Sequence, residues 1–439
     1  MKLMSDPVLE KYYQDLLTKP NGEYFVDMFK TVERMLREVD GVTLSPAADR
    51  PVSMRLVIEG DDIAQLDGVD ARWRSDRSRV WVGWLTYELG VDHLLGRRAG
   101  RGPRPGLCLR RYPAMIERDV DGSERAHGDE DAIARLKAVL RRAAAAPLTD
   151  PPWPLEPLRP RLSPEEHQSR LERARQHLTA GDSRQINLSQ QFGARWKAEA
   201  APGTPVRVAS AYANLRHVRP AAMGAVLEAD ADTWFLSNSP EMLLDIRRGQ
   251  APGGGDLARM WPIKGTRPRD ADPTRDVAAA ESLRSSEVDL VQHRATLELV
   301  REDLGRIAVP GTVAVVPEPE LLTVPTMHEL VSEVTASLPA DLSLRSVVEA
   351  VFPGASITGI PKRRSVELID QLEEHARGIY CGAIVVLEPR GLTMSIPIRT
   401  GIIDRYGLTL CVGGGVPLVA DPEAERQETL AKIAAFSEP

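Results

Sequence analysis

The chain predicts an α+β fold built on antiparallel sheets, and three observations lead there. Short β-branched and aromatic runs are mixed with capped amphipathic segments, without the regular β-α alternation of a parallel sheet. Apolar residues make up 42% of the 439 residues, enough for one large core or two ordinary ones. Seven prolines (Pro147, Pro151, Pro152, Pro154, Pro157, Pro160 and Pro164) break the chain with a stretch that sustains neither a helix nor a central strand. The expected division is an N-terminal part, 1–146, a Pro-rich surface linker, 147–162, and a larger region, 163–439.

Taken in order, residues 11–39 read as a helix. The run Val80-Trp81-Val82-Gly83-Trp84-Leu85-Thr86-Tyr87 reads as a buried strand, and residues 132–146 as a helix. In Ser163-Pro164-Glu165-Glu166, Ser163 can cap a helix, Pro164 suits its first turn and Glu166 completes a capping box. Leu171, Ala174 and Leu178 then keep one apolar face, and Gly181 stops the helix. Residues 185–192 alternate with period two and read as a strand. Further strands are expected at 233–236, 312–316, 383–387, 392–398 and 408–412. Further helices are expected at 288–304, 344–351, 363–374 and 422–436. Gly253-Gly254-Gly255 marks a hairpin loop. No internal repeat is visible.

Composition excludes several classes of function. A net charge of −7 gives no reason to expect a nucleic-acid partner. No apolar stretch approaches the ~18 residues of a membrane span, and the first residues lack the apolar run of a signal peptide. Cys108, Cys381 and Cys411 are scattered, without metal-type spacing, as expected of a reducing cytoplasm.

Residue-level chemistry gathers at a few places. Trp261-Pro262-Ile263-Lys264-Gly265-Thr266-Arg267 delivers one lysine from an apolar run into a Gly-Thr turn. Burial beside Trp261 and Ile263 favours the neutral, nucleophilic amine, although a surface lysine on a turn would read alike. Glu425, Glu428 and Lys432 stand at i, i+3 and i+7, on one face if helical. A solvated salt-bridged face would share that spacing. They follow Gly413-Gly414-Gly415, which allows close approach of a ligand to the backbone.

Several motifs stand in a telling order. They are Pro262-Ile263-Lys264-Gly265-Thr266, then Phe352-Pro353-Gly354-Ala355-Ser356-Ile357-Thr358-Gly359-Ile360-Pro361-Lys362, Arg377-Gly378-Ile379-Tyr380-Cys381-Gly382-Ala383, and Gly413-Gly414-Gly415 leading to Asp421-Pro422-Glu423-Ala424-Glu425. The set resembles the chorismate-utilising enzymes: anthranilate, aminodeoxychorismate, isochorismate and salicylate synthases. Lys264, where other branches usually have alanine, resembles the aminodeoxychorismate synthase large component. The resemblance is strong over about 160–437 and weak over 20–120, where Tyr87 and Gly90 echo an N-terminal motif.

The resemblance implies antiparallel sheets packed together and flanked by helices, and a chorismate site with Mg²⁺. Glu428 matches the direct metal ligand, Glu425 a water-mediated one and Lys432 a substrate-carboxylate contact. Glu241, in Ser237-Asn238-Ser239-Pro240-Glu241, matches the acid that protonates the departing C4 hydroxyl. Tyr380 and Arg399 match the groups that bind the enolpyruvyl carboxylate. Thr266 and the Thr358-Gly359 turn match donors to the ring substituents, and Gly414 and Gly415 line the substrate. Isochorismate and salicylate synthases carry a water-activating lysine at the slot of Gln185, and glutamine cannot serve as that base. Gln185 with Lys264 therefore implies lysine as the nucleophile at C2 and ammonia as the nucleophile at C4. No glutaminase signature is visible, so ammonia is expected from a separate glutamine amidotransferase subunit or free in solution. Lys362 reads as a structural cation.

Three positions depart from the pattern. Asp289 matches the first acid of a further metal pair, but Gln292 stands where the ligand glutamate is expected. Glu302 replaces an asparagine. Glu329 occupies a slot that commonly holds histidine, with His328 beside it as a candidate to compensate. The expected activity is the amination of chorismate to 4-amino-4-deoxychorismate, feeding p-aminobenzoate and folate or a specialised metabolite such as an antibiotic. The alternatives are a diverged enzyme of anthranilate, isochorismate or salicylate type, and a catalytically weakened chorismate-binding subunit.

Overall fold

Two large antiparallel sheets carry the fold, and the chain passes from one to the other at the cavity described below. The structure is a computed structural model that describes residues 25–26, 57–97, 104–118, 124–145, 153–198, 207–208, 211–212, 214–215, 221–316, 318–324, 327–416, 429 and 432–436. The nine-stranded sheet runs in the order Ala314–Val315, Val334–Leu338, Asp256–Met260, Met242–Arg247, Gly391–Ser395, Ala383–Glu388, Val80–Leu85, Leu107–Tyr112 and Val57–Gly60. The seven-stranded sheet runs Gly359–Ile360, Gln185–Arg195, Gly407–Gly415, Thr400–Asp404, Thr233–Ser239 and Met223–Asp230, with Arg159–Pro160 also paired to Gln185–Arg195. A small sheet joins Ile263–Pro268, Met327–Val331 and Glu320–Thr323.

Strand alternation explains how these layers pack. In Val80–Leu85, Val80, Val82 and Trp84 face the seven-stranded sheet and meet Leu227 and Phe235, with the Trp84 and Phe235 rings edge to face at 5.1 Å. Trp81 and Leu85 face the other way, into a core shared with helices Leu66–Ser75, Glu287–Gly305 and Leu344–Val351. Trp234 and Leu236, flanking Phe235, pack the outer face of the seven-stranded sheet. Gly83 is where two strands close on each other, since a Cβ there would lie 1.8 Å from the Cys108 carbonyl oxygen. Strand Val80–Leu85 pairs with Ala383–Glu388, so one sheet contains residues from both sides of the Pro-rich segment.

Several elements differ from expectation. Of residues 11–39 only Phe25–Val26 lies among the described residues, and it is a strand paired with Arg118 and Glu117, not helix. The 80–87 strand ends at Leu85 because Thr86 caps the helix Tyr87–Leu95, its hydroxyl accepting from the Leu89 amide. Of the Pro-rich segment, the described residues 153–162 are not merely superficial. Trp153 and Leu155 are buried and Arg159–Pro160 pairs at a sheet edge, because strands tolerate proline there. The 312–316 strand shrinks to Ala314–Val315. Of the expected 422–436 helix, Thr429 and Lys432–Ile433 are helical and Ala434–Phe436 is a 3₁₀ turn, while the remaining residues lie outside the described set. The helix Pro164–Thr179 has the full capping box, with Ser163 and Glu166 bonded reciprocally. Among the described residues no helix is long and apolar enough to cross a membrane.

Candidate active site

Two crossovers between the sheets lie side by side and make the floor of a cavity. Strand Thr233–Ser239 belongs to one sheet and Met242–Arg247 to the other, with Pro240 and Glu241 between them. Gly391–Ser395 and Thr400–Asp404 make the reverse passage through Ile396, Ile398 and Arg399. The crossovers are stitched together: the Ile396 amide donates to the Glu241 carbonyl at 3.0 Å, and the Asn238 amide to the Arg399 carbonyl at 3.0 Å. Arg399 sits at φ +48°, uncommon for a residue with a side chain, and its backbone is held by this pairing.

Lys264 enters from the small sheet. The pairing of Ile263–Pro268 with Met327–Val331 shifts register between Ile263 and Thr266, a bulge that re-aims Lys264 out of the ladder. Gly265 makes the bulge possible at φ +98°. His293 lies within 3.1 Å of the Lys264 carbonyl through Nδ1 and 2.8 Å of Ser332 Oγ through Nε2. A carbonyl only accepts, so Nδ1 carries the hydrogen and Nε2 accepts from Ser332. Burial lowers the His293 pKa and keeps the ring neutral in this role. The Lys264 Nζ lies 3.2 Å from where a Cβ on Gly415 would stand, so the third glycine of the Gly-rich strand end makes room for the ammonium.

The cavity, about 290 Å³, lies near the lower end of the roughly 300–1,000 Å³ common for small-molecule sites. Its wall includes Lys264, Glu241, Thr266, Tyr380, Arg399, Gly414, Gly415, Lys432, Asp289 and Gln292, all of them sequence candidates. The Lys432 Nζ donates to the Gly413 carbonyl at 3.0 Å. Glu241 is buried, and its pKa is raised from 4.5 to about 7. Burial is the main cause and the Glu329 carboxylate adds to it, against the neighbouring Ser356 hydroxyl, the Ile263 amide and the Lys264 ammonium.

Other candidates fall elsewhere. Gln185 is buried but is not part of the wall, which begins two residues on at Asn187; Ile360 is its partner across the strand pair. The Thr358 hydroxyl turns away, donating to the Gly354 carbonyl at 3.0 Å. Gly359 serves strand contact instead, since a Cβ there would lie 2.0 Å from the Gln185 carbonyl oxygen. Glu425 and Glu428 lie outside the described residues. His328 does not compensate for Glu329. Neighbours on a strand face opposite ways, and His328 reaches Asp276 at 3.0 Å and Thr323 at 2.9 Å. Lys362 is a structural cation on Asp303 and the Pro353 carbonyl.

Polar wall residues given no role from the sequence include Asn187, Arg267, Ser356 and Arg377. Asn187 shares a strand face with Gln185 by period two, a signal that was available. The guanidinium of Arg377 is gripped by both oxygens of Glu373 at 2.8 Å, and by the Asn187 and Ile357 carbonyls. Arg267 bonds Asp289 at 2.7 Å. The two residues of the described wall expected from the sequence as metal ligands, Asp289 and Gln292, are thus one carboxylate already in an ion pair and one amide. Alone they do not make the oxygen set that Mg²⁺ prefers. Glu117, His127 and Glu388 cluster elsewhere, but Arg125, Arg390 and Arg247 already neutralise their carboxylates.

An antiparallel α+β scaffold with lysine, a buried acid and several cations around one cavity defines a small-molecule enzyme site for an anionic substrate. The chain belongs to the chorismate binding enzyme family, which matches residues 38–438. It is 34% identical over 365 residues to aminodeoxychorismate synthase component 1 of Klebsiella aerogenes, covering 80% of this chain and 75% of that one. It is 35% identical over 371 residues to aminodeoxychorismate synthase of Streptomyces griseus, covering 81% of this chain and about half, 49%, of that longer protein. It shares the fold of anthranilate synthase component I from Streptococcus pneumoniae, with a TM-score of 0.69 at 20% identity over 94% of this chain and 100% of the other.

Proposed function

We propose that this chain is the large component of an aminodeoxychorismate synthase, joining chorismate and ammonia to give 4-amino-4-deoxychorismate. The observation that carries the reading is that Lys264 and Glu241 face one cavity, close enough for the Lys264 charge to act on the Glu241 carboxylate. Lys264, having passed its proton to solvent, adds at C2 through the neutral amine as the C4–O bond breaks, and the ring double bonds shift. Glu241 gives its proton to the departing oxygen, which leaves as water; a pKa about 7 suits that task. Ammonia adds at C4, the C2–nitrogen bond breaks and the lysine amine is returned. Arg399, Tyr380, Lys432 and the Gly414-Gly415 backbone hold the two carboxylates and the ring. Thr266 faces the same space from the bulged strand.

Gln185 supports amination over hydration by its identity, since it supplies no base for water. Mg²⁺ would neutralise a substrate carboxylate, with Asp289 and Gln292 completing a site begun by Glu425 and Glu428. Ammonia would come from a separate glutamine amidotransferase in the cytoplasm, a reading supported by the "component 1" in the Klebsiella relative's name. The product would feed p-aminobenzoate, for folate or a specialised metabolite. The test is mass spectrometry of products from chorismate and ammonium, with a parallel incubation lacking ammonium. The expected results are aminodeoxychorismate in the first and a covalent adduct on the Lys264 peptide in the second. Anthranilate or isochorismate as the product, with no adduct, would overturn the assignment.

A further inference from the structure

Glu329 adds a third carboxylate, after Glu241 and Asp289, to the described wall of a cavity that also carries Lys264, Arg399 and Lys432. It is 1% exposed, on strand Met327–Val331, and points into the cavity opposite Thr266. Its Oε1 accepts from Arg399 Nη2 at 3.3 Å, while its Oε2 has no hydrogen-bond partner among the described residues. Arg399 is the guanidinium at the crossover, the group read above as the receptor for the enolpyruvyl carboxylate.

We infer that Glu329 is a specificity-determining residue, a resident carboxylate that occupies Arg399 and competes for it with the ligand's own carboxylate. This rests on the reading of the cavity as a chorismate site. The comparison with Arg377 shows why the pair is exchangeable. Arg377 and Glu373 make a two-point bridge, with Nε and Nη2 on separate oxygens at 2.8 Å, and both are buried. That is the geometry of a permanent fork. Arg399 gives Glu329 one donor at 3.3 Å, longer than the roughly 2.7–2.9 Å of a strong charge-assisted bond. The same nitrogen also touches Met327 Sδ at 2.8 Å. The Arg399 backbone is held independently of Glu329, its carbonyl accepting from the Asn238 amide. Burial raises the Glu329 pKa against the pull of the Arg399 guanidinium; once ionised, its carboxylate faces the same guanidinium as an incoming carboxylate, a like-charge contact that suppresses ligands carrying a charge there. Glu329 therefore selects against a second carboxylate at Arg399, and a ligand that brings one must displace it.

The experiment measures dissociation constants by calorimetry at pH 8 for the unmodified protein, Glu329→Gln and Glu329→His, with melting curves to show that each folds. Glu329→Gln keeps the shape and removes the charge; Glu329→His is the second variant should glutamine fail to fold. Two probes are used, chorismate with two carboxylates and 4-hydroxybenzoate with one. The expected result is chorismate binding about tenfold or more tighter in the variants, with 4-hydroxybenzoate little changed. In turnover, KM for chorismate falls by the same factor while kcat does not rise with it. Chorismate affinity that is unchanged or weaker, or equal tightening for both probes, overturns the inference and makes Glu329 a structural support for Arg399. Absence of chorismate binding in the unmodified protein refutes the site reading, and the inference falls with it.

Discussion

Glu241→Gln should stabilise this protein at alkaline pH while removing its turnover. The folded state holds the Glu241 pKa at about 7 against an ordinary 4.5, chiefly because the carboxylate is buried. The folded chain therefore keeps a proton between pH 4.5 and about 7 that the unfolded chain releases. Stability falls as pH rises through that window and levels off above it. Each unit of separation is worth about 1.4 kcal/mol, so the full cost at pH 8 is about 3 kcal/mol. Glutamine has no proton to lose and avoids the cost. Below pH 4.5 both side chains are neutral and the two proteins should be nearly alike. Urea unfolding at pH 4.5, 7 and 8.5 should show the gap opening with pH toward about 3 kcal/mol. Over the same variants, conversion of chorismate should drop ~10²–10⁴-fold, the usual contribution of a general acid, while chorismate binding persists. A gap that does not change with pH would refute the argument that burial holds the proton. Near-normal turnover would remove Glu241 from the acid role.

Three further outcomes test other parts of the structure. Lys264→Ala should abolish amination at C4 and the covalent adduct while leaving chorismate binding nearly intact, read by product mass spectrometry and calorimetry; full activity would return the choice to direct attack at C2, as in anthranilate-type chemistry. Gln292→Glu supplies an anionic oxygen beside Asp289, so Mg²⁺ should bind more tightly in the presence of chorismate, and ordinary tight Mg²⁺ binding by the unmodified protein would count against this metal assignment. Gly83→Ala puts a methyl 1.8 Å from the Cys108 carbonyl oxygen, where strand Val80–Leu85 meets Leu107–Tyr112 inside the nine-stranded sheet; urea unfolding should register a loss of about 3 kcal/mol or more, and a loss within about 0.5 kcal/mol would contradict the strand spacing.

Local signals were legible where local physics decides. The Ser163 capping box, the apolar stripe of Leu171, Ala174 and Leu178, and the period-two run from Gln185 each read correctly because one element contains the whole cause. The sequence places Lys264 off the end of a short strand, whereas strand Ile263–Pro268 runs on past it, because its bulge, Gly265 and Pro268 break the alternation that would show its continuation. Helix Pro273–Ser285 was missed although Asp272 and Pro273 mark its start, since of its residues only Leu283 is buried and no apolar stripe announces it. Motif residues far apart in sequence line one cavity, but the two crossovers that set Glu241 and Arg399 on its wall are a property of sheet order, which no short pattern encodes.

The departures from the family pattern show the same limit and what lies beyond it. Gln292 and Glu329 were legible as substitutions, but only geometry relates them. One stands on helix Glu287–Gly305, the other on strand Met327–Val331, and both face the same cavity. His328, the nearer candidate to offset the change, is removed by strand alternation and spent on Asp276. A carboxylate expected at position 292 is thus missing from the Asp289 side, while one appears at position 329 against Arg399. Gln292 lies with Asp289 on one part of the cavity wall, and Glu329 against Arg399 on another. The two substitutions should therefore act on different ligands: restoring glutamate at 292 should be read in Mg²⁺ affinity, and neutralising 329 in chorismate affinity, with each largely silent in the other's assay. Strong coupling between them in a double variant would mean that one group of charges, not two, sets the site.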